Sequence, residues 1–156
     1  GAARANLVRI NADGSLDAGF TATTDQPVKA FALQPDGKIF IGGGFTIVNG
    51  VARPAVARLN ADGTTDNAFN VTVPIAGTIN SMVLLPNGRL VVGGSFSFLS
   101  ALGTIRRNLT GFASTGGHIA AYNPQENIPP VKTIVEQPNK RLLVIVGDSE
   151  LRRLFN

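Results

Sequence analysis

Arg9-Ile10-Asn11-Ala12-Asp13-Gly14 returns 49 residues later as Arg58-Leu59-Asn60-Ala61-Asp62-Gly63. At the same spacing Asp17 returns as Asp66 and Phe20 as Phe69. A second block follows each copy. Pro35-Asp36-Gly37-Lys38-Ile39-Phe40-Ile41-Gly42-Gly43-Gly44-Phe45 returns 51 residues later as Pro86-Asn87-Gly88-Arg89-Leu90-Val91-Val92-Gly93-Gly94-Ser95-Phe96. A third copy is worn but legible. Val131-Lys132-Thr133-Ile134-Val135 matches Ile79-Asn80-Ser81-Met82-Val83, and Pro138-Asn139-Lys140-Arg141-Leu142 matches the turn that begins at Pro86. Ala121-Tyr122-Asn123 stands where Ala68-Phe69-Asn70 stands, and Gly111 to Gly116 replaces the first block without its acids. A fixed period near fifty residues marks a repeat architecture, with divergent copies where a stack is capped. The chain therefore reads as a single repeat region, 1–156, with repeat 1 at about 5–57, repeat 2 at about 58–110 and a divergent repeat 3 at about 111–156.

Each repeat reads as two hairpins. Proline presets φ and glycine accepts positive φ, so Pro35-Asp36-Gly37 and Pro86-Asn87-Gly88 are turns with a mechanism. Ala12-Asp13-Gly14 and Ala61-Asp62-Gly63 turn the second hairpin in the same way. Gly14, Gly37, Gly63 and Gly88 are the predicted structural turn positions, and Gly63→Val should cost at least about 1 kcal/mol. Lys140 stands at the turn glycine position of repeat 3, so turn geometry is in question there. No segment sustains a 3.6-residue period, which predicts no long helix. Ile39-Phe40-Ile41, Leu90-Val91-Val92 and Leu142-Leu143-Val144-Ile145-Val146 are apolar without alternation. Such strands are buried on both faces, as in a sheet stacked between two others. The predicted fold is all-β: three four-stranded repeats forming β-propeller-type blades. The alternative is a β-trefoil with pseudo-threefold symmetry, six hairpins in three repeats.

The pattern resembles the bacterial delta-60 repeat, a propeller-like family of uncharacterised function. The likeness is carried by Arg58 to Gly63, Asp66, Pro35 to Lys38 and Gly42 to Phe45, and spans about residues 7–154. It is also broadly similar to kelch and NHL blades. The resemblance implies a secreted or cell-surface bacterial protein, and it brings no catalytic or binding residues with it.

Composition narrows the function classes. Hydrophobic residues make up 44% and charged ones 15%, which is the balance of a folded core rather than of disorder. Cysteine is absent, so disulfides, thiolate metal sites and a cysteine nucleophile are excluded. A net charge of +4 is too mild for a nucleic-acid footprint, and no apolar run is long enough to span a membrane.

Few residues suggest chemistry. Asn11, Asp13 and Asp17, with Asn60, Asp62 and Asp66, set oxygens at alternate positions beside a turn glycine, as a calcium loop does. Arg9 and Arg58 occupy the first ligand position and no glutamate closes the loop, so hairpin turns explain them better. Asp25 and Asp36 also lie in or near turns. His118 is the only histidine and lacks a nucleophile context. Gly42-Gly43-Gly44 is followed by neither Lys-Ser/Thr nor a helix, so it is not a phosphate loop. Arg53, Arg58, Arg106, Arg107, Arg152 and Arg153 fall near one phase of the repeat, where they would form a basic rim or simply a solvated sheet edge. Asn70 and Asn108 open glycosylation sequons.

These observations predict a non-catalytic extracellular or cell-surface module for adhesion, scaffolding or assembly, with no cofactor and no catalytic or metal residue. The alternative is a carbohydrate-binding module, against which tryptophan is absent and Tyr122 is the sole tyrosine. Most of the nine phenylalanines sit at repeat positions that read as core. The expected partners are a protein or glycan at the cell surface, self-association, or further repeats in a longer parent chain. Blades left open would close by association, most simply as a dimer of six blades, whereas a trefoil would be a stable monomer.

Overall fold

The computed structural model describes residues 6–120, 128–147 and 150–154. Regular structure among them is all β, with no helix. Strands β1 (Val28–Leu33), β2 (Ile39–Gly43) and β5 (Val56–Leu59) form the first sheet. Strands β6 (Ala76–Leu84), β7 (Leu90–Leu99) and β8 (Ile105–Phe112) form the second. Strands β9 (Val131–Glu136), β10 (Leu142–Val146) and β11 (Glu150–Leu154) form the third. Each is an antiparallel meander with its second strand in the middle. A separate ribbon joins β3 (Ile47–Val48) to β4 (Val51–Ala52).

One turn is built three times. The N–H groups of Gln34, Leu85 and Gln137 donate to the carbonyls of Lys38, Arg89 and Arg141, each at 2.8 Å. Asp36, Asn87 and Asn139 accept a bond from the N–H two residues on, an Asx turn that shapes the loop from within. Gly37 and Gly88 take φ of +84° and +78°, and Lys140 takes +66°. The lysine thus keeps the turn geometry that the sequence put in question, against the steric preference of its Cβ.

Two expectations change. The sheets are three-stranded, not four-stranded, because the fourth strand shrinks to single bridges, Leu59↔Thr65 and Phe112↔His118. In repeat 2 the cause is local. Asp66 Oδ1 accepts the N–H of Ala68 at 2.9 Å and turns the chain away one residue after the bridge. The trefoil alternative fails as well. Strand ladders run within each sheet and, among the described residues, none joins one sheet to the next, whereas a trefoil closes its hairpins into one hydrogen-bonded barrel.

The sheets instead stack by their faces. Phe40, Ala30 and Val56 of the first sheet share a core with Ile79, Met82, Leu90 and Val92 of the second. Val91 and Leu109, from the opposite face of the second sheet, share another with Val131, Ile134 and Val144 of the third. Leu90, Val91 and Val92 are therefore fully buried, as an apolar run without alternation requires. The third run departs from that expectation: Ile145 is 40% exposed, because no sheet covers its side of β10 among the described residues. Phe31 departs likewise, lying on the outer face of the first sheet rather than in a core.

Paired glycines set the spacing. A Cβ on Gly42 would lie 2.8 Å from Ile79 Cγ2 and 2.5 Å from Met82 Cε. A Cβ on Gly93 would lie 2.8 Å from Ile134 Cδ1 and press on Val131. Each glycine is a notch in its central strand that receives two side chains of the next sheet.

Candidate functional site

The aspartates of the Asp-Gly turns divide into two kinds. Asp13 Oδ1 accepts from the hydroxyl and the N–H of Ser15, and Asp62 Oδ1 from those of Thr64. The hydroxyl bonds, then the backbone bonds, hold both carboxyls below their ordinary range. Asn11 and Asn60 donate to the same Ser15 and Thr64 hydroxyls at 2.9 Å. Asp17 and Asp66 face the other way, onto arginine. Arg9 Nε lies 2.6 Å from Asp17, and Arg58 Nε lies 2.7 Å from Asp66. Lys38 adds a second cation to Asp66 at 2.8 Å. Burial raises the Asp66 carboxyl, but Lys38, the Ala68 N–H and Arg58 outweigh it and bring the pKa to about 2. The six calcium candidates are thus engaged in turns and ion pairs, and no group of three or more acids or histidines converges among the described residues.

Arg58 corrects the basic-rim reading. It is 7% exposed, lies over the rings of Phe40 and Phe69, and donates to the Ser114 carbonyl of the next turn. Arg9 repeats this arrangement over Phe20, with a bond to the Ala61 carbonyl. The arginine is a rivet between successive turns, because its guanidinium can stack, pair and donate at once. Arg53 binds Asn67 at the surface, and Arg106 and Arg107 lie on β8. The side chains of Arg152 and Arg153, and all of Tyr122, fall outside the described residues.

His118 packs edge-on against Phe98 at 5.0 Å and near Phe112 at 6.3 Å, with its Nε2 buried and unpartnered. Burial, then the charge of Arg106, lowers its pKa. That is the setting of a half-buried edge histidine, bridged to Phe112. The amide of Asn108 is held between the Phe96 N–H and the Ile128 carbonyl, so this sequon is engaged in the fold.

Two of the depressions in the described surface bear on binding. One, of 480 Å³, is shallow and of mixed polar and apolar lining, and includes Thr21, Thr23, Asn49, Val51 and Thr64. The other, of 270 Å³, is apolar and opens on the outer face of the first sheet, between Leu7, Val8, Phe20, Phe31, Leu33 and Ile39. Phe31 and Leu33 are 63% and 65% exposed there. Nothing in the repeat or turn signals marked this face, since Phe31 occupies a repeat position whose counterparts, Met82 and Ile134, are buried.

Comparison with known proteins bears on the fold. A family model described as a domain of unknown function, DUF5122, a β-propeller, matches residues 1–20 and 34–69. The chain is a β-propeller-type repeat. No curated protein matches it. Among solved structures it is similar to a streptogramin B lyase, at 13% identity and a TM-score of 0.48. That match covers 94% of this chain and 46% of the other, so the chain spans about half the length of that structure.

Proposed function

We propose that this chain is a non-catalytic extracellular or cell-surface module, bacterial in origin, that serves adhesion, scaffolding or assembly. The observation that carries the reading is the exposed apolar face of the first sheet. Phe31 and Leu33 flank a 270 Å³ cavity there, and native proteins seldom leave such a patch to water unless something binds it. On this reading each three-stranded sheet is a propeller-type blade. The turn acids serve the turns and the arginine pairs, and the one histidine packs against phenylalanines. No helix among those residues is long and apolar enough to cross a membrane.

A carbohydrate-binding module is the second reading, favoured by the shallow depression that Thr21, Thr23 and Asn49 line beside Val51. A glycan array and a hydrolase substrate panel on the purified chain test both. The expected result is no glycan bound at low micromolar concentration and no turnover. A clear glycan hit lost on Asn49→Ala would establish the second reading. An activity abolished by His118→Ala would overturn both.

A further inference from the structure

We infer that the outer face of the first sheet is a docking site for a β-hairpin of this same repeat, one that carries glycine where Gly42 and Gly93 stand. This docking face rests on reading the chain as an assembling module, and it names what the module assembles with.

Both sheet-to-sheet contacts among the described residues use one geometry. Ile79 and Met82 enter the notch at Gly42, and Val131 and Ile134 enter the notch at Gly93. Val28 and Phe31 hold the same register in the first sheet. Val28 pairs with Gly43 as Ile79 pairs with Gly94, the bulge follows at the same place, and Leu33 pairs with Ile39 as Leu84 pairs with Leu90. Yet Met82 and Ile134 are 8% and 5% exposed, and Phe31 is 63% exposed. Phe31 is a knob without its notch.

The segment Leu7–Ile10 points to the same missing element. Ile10 bridges Leu16 as Leu59 bridges Thr65. The other edge of the Leu59 strand pairs with β2, whereas among the described residues no strand pairs with the other edge of Leu7–Ile10. Val8 and Ile10 are 45% and 53% exposed, and their counterparts Ala57 and Leu59 are fully buried. A third sign is chemical. Arg58 covers two rings, Phe40 and Phe69, which meet edge to face at 5.0 Å. Arg9 covers only Phe20, and the 270 Å³ cavity borders that ring. One hairpin satisfies all three features. Its second strand pairs with Leu7–Ile10, its apolar residue two before the glycine fills the cavity against Phe20, and its glycine seats Phe31.

A second copy of this chain does not present that hairpin. At the two required positions its β10 offers Leu143 and Ile145, so a branched side chain stands where the notch is needed. The edge of β10 that would have to pair with Leu7–Ile10 is already taken by β11.

The chain has no cysteine, so Val8→Cys gives it a single reporter thiol. Maleimide labelling of this variant would be compared with that of an extended chain. In the extended chain a copy of residues 23–53 replaces residues 1–4, which keeps the repeat spacing. Labelling should slow by about tenfold or more in the extended chain, and return to the fast rate when the copied Gly42 is changed to Leu. Phe31→Ser should leave the melting temperature of the unextended chain within about 1 °C and lower that of the extended chain by about 5 °C. Equal labelling of the two chains would overturn the proposal. So would protection that survives the glycine change, or an extended chain that no longer folds. Labelling of the unextended chain that slows as its concentration rises would assign the face to a second copy. Glycan binding or turnover would sink the functional reading above and leave these rates unchanged.

Discussion

The residue that shows most clearly how this molecule spends its charges is Asp66. It is a turn acid like Asp62, but it is buried with Arg58 while Asp62 stays in water. Asp66→Asn leaves a buried guanidinium short of its counter-charge and should cost about 3 kcal/mol in urea unfolding. Asp62→Asn should cost under about 1 kcal/mol. The pH dependence follows the same logic. With its folded pKa held near 2, below the ordinary carboxylate value, Asp66 contributes stability that is complete above about pH 4 and is lost as pH falls through 2. In Asp66→Asn that part of the acid-unfolding slope should be missing. Two turn glycines make a matched pair. Gly14 and Gly63 take φ of +85° and +88°, yet a Cβ at position 14 meets nothing within 4 Å, whereas one at 63 lies 3.0 Å from the N atoms of Thr21 and Ala22. Gly63→Val should therefore lose about 2 kcal/mol or more, and clearly more than Gly14→Val, whose cost is conformational alone. Lys140→Gly should raise stability by about 1 kcal/mol, since φ of +66° strains a lysine and its contact with Glu136 is long and exposed.

At the scale of the element, the glycine pairs matter more than the turns. The sequence shows them only as a repeated pair, Gly42-Gly43 and Gly93-Gly94. Which side chains approach is visible only once Ile79, Met82, Val131 and Ile134 are seen in the notches. The two notches differ in what fills them. Gly42 faces branched Ile79 and the flexible end of Met82, and Gly93 faces two branched side chains, Val131 and Ile134. Gly42→Ala should accordingly cost about 2 kcal/mol and Gly93→Ala about 3 kcal/mol, measured by thermal unfolding, because at Gly42 only Ile79 resists while Met82 can swing aside, and at Gly93 both neighbours are branched. An equal loss at both positions would mean that the sheets slide as units instead of repacking locally. The fourth strand was over-read for a related reason. Thr64-Thr65-Asp66 has strand composition, but the side chain of Asp66 caps the next turn and ends the pairing after one bridge.

For the whole molecule, the second sheet is the one that lies between two others among the described residues, with one core toward the first sheet and another toward the third, while the outer face of the first sheet carries only a smaller core around Phe20, Ile41, Phe45 and Leu59. The amides of the second sheet should be the slowest to exchange with solvent, those of Val91 and Val92 above all, and the third sheet should open first. Hydrogen exchange read by NMR would check the order. The sequence alone determined the repeat, its β character, its turns and most of its core, because those depend on local spacing and on backbone preferences that each residue carries with it. Even the small role of the acids was legible, since Asp beside a turn glycine bonds its own neighbours first. What the sequence could not decide was which copies of a repeat position are covered. Phe31 and Met82 hold equivalent places, as do Ile10 and Leu59, and their residue types are equally apolar. Met82 is buried because the first sheet stands opposite it and Phe31 is open because none does, whereas Leu59 is buried by its pairing with β2 and by Phe20 and Ile41, and Ile10 has no such strand beside it among the described residues. That is a property of the stack, settled only by tertiary structure.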